Sequence, residues 1–269
     1  MAAITFYRDE ELPFLEAKEC MANDLFYHKH FHEEYSIGMI DQGATNAWCD
    51  GRMFRAETGS VIGFPPLMLH ACHPDQDAEW RYRMLFIKPE WYRELKPRER
   101  ERMQIPCLWE GRESSAARLL INRTMNALKH KGDPLEIETA LIGLIEFVAK
   151  REALGPRHED HGHSDPKYVR LMRDYLHAHY RERITLRQLE EEAGISRFHL
   201  IRMFKKRYHM PPHAYQNLLR INRAKIELKE KQPIAAIAAG VGYYDQSHFS
   251  RFFTKIVGTT PGKYAATVT

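Results

Sequence analysis

Long apolar runs are missing from this sequence. None approaches the ~20 residues that a bilayer-spanning helix needs, which argues against a membrane-embedded protein. The opening Met1-Ala2-Ala3-Ile4-Thr5 has no apolar signal-peptide core, so a soluble, cytoplasmic protein is the expectation. Cysteine is scarce too. Cys20, Cys49, Cys72 and Cys107 lack the paired spacing of a zinc finger or the pattern of a secreted disulfide framework, so reduced thiols are expected. Net charge is low, +4 over 269 residues, but unevenly spread. Residues 165–269 hold 19 Lys and Arg against 9 Asp and Glu, whereas residues 1–164 hold 21 against 27. That asymmetry points to a basic domain facing a polyanion and an acidic domain with another task. The length suffices for a sizeable core in roughly one to three domains.

What is present is a repeat. At an offset of 49 residues, Ser196 aligns with Asp245, His199 with His248, Leu200 with Phe249, Arg202 with Arg251, Phe204 with Phe253 and Lys206 with Lys255. Pro212 and Tyr215 recur as Pro261 and Tyr264. Two copies are too few for a solenoid and read as two similar units in one domain. In the first, Leu186, Leu189 and Ala193 recur at helical spacing, Gly194-Ile195 breaks the helix, and Ser196 is an N-cap candidate for the next. In the second, Ile234, Ile237 and Ala238 form a short helix, Gly240 to Tyr244 a turn, and Asp245 a cap. Each second helix has one apolar face: Leu200, Phe204 and Tyr208, against Phe249, Phe253 and Ile256. Opposite lie Phe198, Ile201 and Arg202 in one copy and Gln246, Ser247, Ser250 and Arg251 in the other. A helix that reads a major groove is built this way.

The run Gly242-Tyr243-Tyr244-Asp245-Gln246-Ser247-His248-Phe249-Ser250-Arg251-Phe252-Phe253, followed by Gly258-Thr259-Thr260-Pro261-Gly262-Lys263-Tyr264, resembles the signature of the AraC family of bacterial transcription regulators. The resemblance implies two helix-turn-helix units joined by a long helix, Pro212 to Lys231, addressing successive major-groove segments. Arg202 and Arg251 are the leading base readers, since a guanidinium bonds guanine O6 and N7 together; a phosphate contact is the alternative for Arg202. Gln246, Ser247 and Ser250 are placed to reach base edges, while Phe198 and Ile201 offer apolar contact to thymine methyls. Ser196, His199, Lys205, Lys206 and Lys255 are assigned to phosphate contacts or capping, and Tyr264 to the core.

Residues 6–90 read as β-rich, with short runs at Tyr35–Ile40, Ala44–Cys49, Gly59–Phe64 and Arg81–Ile87 between turn signals, as in a small antiparallel barrel or sandwich. His30-Phe31-His32, then Gly59 to Pro65 and His70, resemble the two motifs of a cupin, the effector-binding domain that often precedes the DNA-binding domain in this family. Two departures stand out. The first motif's glutamate falls where Ser36 and Ile37 stand, and Leu67 replaces a glycine. On a strand His30 and His32 share a face, and with His70 they make a ligand set suited to Zn²⁺ or another transition metal. The alternatives are a metal-free pocket that hydrogen-bonds an organic effector, or histidines satisfied in the core. Effector-lining candidates are His30, His32, Trp48, His70, Arg83 and Met84. Either Arg81 and Arg83 or Tyr82 and Met84 face inward, and the sequence leaves that phase open.

From Pro89 to Arg112 charged helical turns and loops are expected, then amphipathic helices around Ala117–Leu128 and Leu135–Val148. The resemblance implies a dimer interface for such helices; packing on their own barrel is the alternative. Residues 155–166 read as a linker, whose His158, His161 and His163 lack preorganised geometry. Asp165-Pro166 then opens a helix with Val169, Met172, Leu176 and Tyr180 on its apolar side. The expected architecture is α+β: a cupin-like antiparallel β-barrel with following helices in 1–154, and an all-α double helix-turn-helix domain in 167–269. The expected function is ligand-responsive transcription regulation, with double-stranded DNA, a small-molecule effector, a second copy and RNA polymerase as partners. Two enzymatic readings compete. One is a metal-dependent cupin enzyme fused to a DNA-binding domain, which the displaced glutamate disfavours. The other is an alkyl-transfer repair protein, which the scattered cysteines disfavour.

Overall fold

The computed structural model describes residues 3–22, 27–75, 78–95, 103, 105–152, 166–230 and 232–266. The chain divides into two compact units at about residue 158. The expected linker lies, apart from Pro166, outside the described residues, as do His158, His161 and His163.

The first unit runs β1 (Ala3–Arg8), β2 (Leu15–Ala22), β3 (Tyr27–His30), β4 (Tyr35–Gln42), β5 (Ala44–Cys49), β6 (Arg52–Glu57), β7 (Val61–Phe64), β8 (His70–Pro74) and β9 (Trp80–Ile87), then α1 (Pro89–Leu95), β10 (Leu108–Trp109), α2 (Gly111–Lys129) and α3 (Pro134–Glu152). One antiparallel sheet has the order β1-β2-β9-β4-β7-β10 and the other β3-β8-β5-β6. Side chains alternate between faces along a strand, and that period sorts the larger sheet. Leu15, Ala17, Tyr35, Ile37, Met39, Leu85 and Ile87 pack into one core with Ala117, Ile121, Met125, Leu141, Leu144 and Ile145 of α2 and α3. The intervening residues face the second sheet: the Tyr82 hydroxyl donates to Tyr27 Oη at 2.8 Å, and Phe64 stacks on His70. Both faces of β4 and β7 are therefore covered, and these strands are buried almost throughout.

α2 and α3 pack on each other and on their own sheet, the alternative that the sequence had left open. The segment after α1 contributes β10, which pairs with Val61 and Ile62 at the sheet edge. The thiols also differ from expectation. Cys49 and Cys107 are joined in a disulfide, while Cys20 and Cys72 are free and buried. Met68 Sδ lies 3.2 Å from Cys49 Sγ and 3.8 Å from Cys107 Sγ, completing a cluster of three sulfurs.

The second unit comprises α4 (Lys167–Ala178), α5 (Leu186–Ala193), α6 (Arg197–Tyr208), α7 (Pro212–Lys229), α8 (Ile234–Gly240), α9 (Gln246–Val257) and α10 (Pro261–Ala265). Val169, Met172 and Leu176 of α4 are buried as expected, while Tyr180 lies beyond the end of the helix and is half-buried. The repeat survives as packing: the Phe204 and Tyr215 rings meet edge to face at 5.4 Å, and their counterparts Phe253 and Tyr264 at 5.6 Å. α7 lies between the copies and ties down the segment after α4. Gln216 Nε2 donates to the carbonyls of Tyr180 (3.1 Å) and Glu182 (2.8 Å), and Arg220 donates to the same two at 2.7 and 2.8 Å.

Between those two carbonyls sits that of Arg181, and against it rests Gly242, with φ +92°. A Cβ at Gly242 would collide with the Arg181 carbonyl oxygen, in a conformation that L residues avoid. Gly242→Ala is expected to cost roughly 2–4 kcal/mol in urea unfolding followed by helical circular dichroism. An unchanged midpoint would show that this approach does not constrain the turn.

Candidate nucleic-acid interface and ligand site

The first helix-turn-helix begins with a capping box. Thr185 Oγ1 accepts from the Gln188 amide at 3.2 Å, and the Gln188 side chain accepts from the Thr185 amide at 2.8 Å. Gly194 ends α5 in the left-handed region at φ +67°. Ser196 stands at the N-cap position of α6, but its hydroxyl makes no capping bond. Glu190 Oε1 accepts the Arg197 amide at 3.3 Å instead, so the capping role expected of Ser196 passes to a carboxylate on α5. In the second copy Asp245 caps as its residue type demands, accepting from the His248 amide at 2.7 Å.

On α6, Leu200 and Phe204 are buried, while Arg202, Lys205 and Lys206 are exposed and Ile201 is half-buried. Phe198 is 80% exposed, an arrangement that apolar surface avoids unless something covers it. On α9, Phe249, Phe253 and Ile256 are buried, Gln246, Ser247, Arg251 and Lys255 are exposed, and Ser250 is half-buried. Ser196 and His199 are also exposed. Among the described residues, neither Arg202 nor Arg251 is held by an ion pair within the chain. Sequence reasoning missed Tyr244, which is 99% exposed beside Asp245 at the mouth of α9. Tyr243 turns inward against Phe249 while Tyr244 turns out, and nothing in a Tyr-Tyr pair shows which does which.

In the first unit His30, His32 and His70 come together between the sheets, with one ligand atom of each within 4.8 Å of the others. β3 ends at His30 and His32 lies two residues on, just beyond the strand, with the two rings 4.9 Å apart. His30 and His70 pair across β3 and β8, with rings 4.3 Å apart. Phe64 lies flat on His70 at 3.8 Å, and Phe86 meets His32 edge-on at 5.0 Å. His30 Nδ1 lies 2.7 Å from the His28 carbonyl oxygen, and His70 Nδ1 lies 2.9 Å from that of Met68. A carbonyl only accepts, so both Nδ1 atoms carry the hydrogen, and Nε2 is the nitrogen through which either ring, when neutral, can ligate. Burial pushes the His70 imidazole down to about 4, against a smaller opposing effect of the Met68 carbonyl. This is the form in which histidine ligates a metal, with the second nitrogen oriented by the backbone.

Two lining candidates lie elsewhere. Arg83 faces the helix side of its sheet and bonds Asp41 through Nε (2.8 Å) and Nη2 (2.7 Å). Those paired bonds hold its guanidinium above the usual range despite partial burial. Trp48 lies on the outer side of β5, its ring under Lys29 Nζ at 3.9 Å, because Ala47 and Cys49 take the inward positions. Met84 and Tyr82 point inward, which resolves the phase of β9. The interior also holds Lys18, buried with its ammonium donating to Tyr27 Oη at 2.8 Å and 4.7 Å above that ring, which sequence reasoning did not single out.

These features define a protein that pairs an enclosed ligand-binding domain with a double helix-turn-helix. Residues 14–145 match the family model of the AraC-like ligand binding domain, and residues 189–267 match a helix-turn-helix domain. The chain belongs to the AraC family of transcription regulators and combines ligand binding with DNA binding. It is 28% identical over 228 residues to the uncharacterized HTH-type transcriptional regulator YbfI of Bacillus subtilis, covering 81% of this chain and 80% of that one. It is 25% identical over 244 residues to the arabinose operon regulatory protein of Escherichia coli, covering 86% and 80%. In fold it is similar to ToxT of Vibrio cholerae crystallised with an unsaturated fatty acid, with a TM-score of 0.59 at 15% identity over 100% of this chain and 96% of that one. The relatives are transcription regulators, and no helix among the described residues is long and apolar enough to cross a membrane.

Arg251→Ala is expected to weaken binding to the specific site by about 1–3 kcal/mol in fluorescence-anisotropy titrations, with little change on random DNA. Equal loss on both would make Arg251 a phosphate contact.

Proposed function

We propose that this regulator senses its signal at the His30, His32 and His70 cluster and reports it through the double helix-turn-helix, whose α6 and α9 enter successive major grooves. One observation carries the sensor reading. His30, His32 and His70 each bring one ligand atom to within 4.8 Å of the others, and backbone carbonyls orient the rings of His30 and His70 through Nδ1. Three imidazoles set close together suit a cation better than an apolar group. The donor set of three nitrogens fits Zn²⁺ or another transition metal. His30, His32 and His70 would hold such an ion, which would supply a Lewis-acid centre for an effector, with Met84 and Phe86 on the same side of the sheet.

On the DNA side, Phe198, Ile201, Arg202, Gln246, Ser247, Ser250 and Arg251 are assigned to base contacts. Ser196, His199, Lys205, Lys206 and Lys255 are assigned to phosphates. The polar face of α9 supports a larger share of hydrogen-bonded readout for the second copy. The protein acts in the cytoplasm as a homodimer on paired half-sites, where RNA polymerase is within reach. Leu119 of α2 and Leu135 of α3, 71% and 73% exposed, support an outer helical face that meets a second copy. The sensor occupies 1–154 and the reader 167–269.

The experiment is metal loading of the full chain, measured by mass spectrometry of bound metal and by operator affinity. The intact chain is expected to take up one divalent ion and to change its operator affinity about 5- to 150-fold, the usual range of allosteric coupling. His32→Ala, chosen because His32 is only half-buried, is expected to lose both responses. Undiminished metal uptake by this variant would refute the site.

A further inference from the structure

Directly opposed residues of an antiparallel ladder put their side chains on the same face. Ser36 of β4 stands opposite Phe64 of β7 on one side and Phe86 of β9 on the other. Phe64 is the ring stacked on His70, and Phe86 the ring that meets His32. Ser36 therefore lies between the two aromatic rings that support the histidine cluster, turned to the same side. It is fully buried, and its Oγ has no hydrogen-bond partner. A buried hydroxyl is normally paired, and one left open beside a ligand site is a group awaiting a partner.

The chemistry of that partner follows from what the cluster lacks. Among the described residues no carboxylate joins the three histidines. A divalent cation held there by neutral imidazoles would keep its full charge in a buried setting, where an uncompensated charge is costly. The molecule that completes the site has to bring negative charge, and a serine hydroxyl meets an anionic oxygen as a hydrogen donor. We infer that Ser36 is a ligand-binding residue of the histidine site and that the effector is a small organic anion, whose charged oxygen accepts the Ser36 hydrogen. This rests on the metal-site reading proposed above.

The test uses the full chain loaded with Co²⁺, whose visible absorption reports the metal's ligands, titrated with acetate and with its neutral counterpart acetamide. Acetate is expected to shift the spectrum and acetamide to leave it unchanged. Ser36→Ala is expected to bind Co²⁺ as the parent does but acetate about 10- to 100-fold more weakly. In the absence of ligand the same variant is expected to melt at the same temperature or higher, because it removes an unpaired buried hydroxyl. A structural serine would move the melting temperature the other way. If Co²⁺ binds normally and acetate affinity is the same with and without Ser36, the Ser36 assignment fails while the metal site stands. If acetamide binds as well as acetate, the anion assignment fails. If His32→Ala and the parent are alike in showing no Co²⁺ spectrum, the metal reading falls and this inference with it.

Discussion

The period of two along the larger sheet organises the sensor unit. One set of side chains goes to the helices and the other to the second sheet, and the two environments are filled differently. Leu85, Ile87, Ile37 and Met39 meet α2 and α3 in an apolar layer. Tyr82, Met84, Phe86, Lys18 and Ser36 meet a face that carries Tyr27, His30, His70 and Cys72. The apolar layer supplies the burial that keeps the unit folded. The mixed interior can then hold imidazoles, an ammonium and an open hydroxyl that would be liabilities in a simple core. A slip of one residue in β9 would exchange the two sets and dismantle both.

How much of this was legible depends on the kind of signal. The doubled helix-turn-helix was readable in detail, because the 49-residue offset and the 3.6-residue period both repeat, although Ser196 does not cap as its counterpart Asp245 does. The strands Tyr35–Gln42, Ala44–Cys49 and Trp80–Ile87 were readable as strands, but their phase was not. Period two is symmetric about its two faces until something occupies one of them, and this is why Arg83 and Trp48 were candidates for an interior that neither enters. β2 escaped because Leu15-Glu16-Ala17-Lys18-Glu19-Cys20 looks like a solvated strand. The structure instead pairs Glu16 with Arg8 at 2.6 Å and sets Lys18 among the Phe6, Tyr27 and Tyr82 rings. The three histidines were legible as a set, though His32 lies just beyond the end of β3 rather than on the strand. The Cys49–Cys107 pairing, across 58 residues, had no local signal at all.

The two units differ in how they commit their polar groups. In the sensor, charged side chains are largely consumed by partners: Arg55 by Asp75 and Glu57, Arg83 by Asp41, Lys129 by Glu19. In the reader, the outward faces of α6 and α9 keep Arg202, Lys205, Lys206, Arg251 and Lys255 exposed. Unspent cations on one side suit an extended polyanion, whose condensed counterions they displace. Enclosed and mostly spent groups on the other suit a small guest that must be recognised atom by atom. The acidic balance of the first unit and the basic balance of the second express this division.

The seating of Gly242 against the Arg181 carbonyl separates two kinds of position within a dozen residues. Gly242 rests against the segment that Gln216 and Arg220 clamp, Tyr243 lies under the Arg220 guanidinium, and Phe249 and Phe253 pack the interior of the second copy. Gln246, Ser247 and Arg251 hang outward and hold nothing. Substitutions at the outward positions therefore leave the packing of the second copy untouched, while those at the inward ones disturb it. The same seam that makes the turn intolerant of change leaves the outward face of α9 with no share in holding the fold.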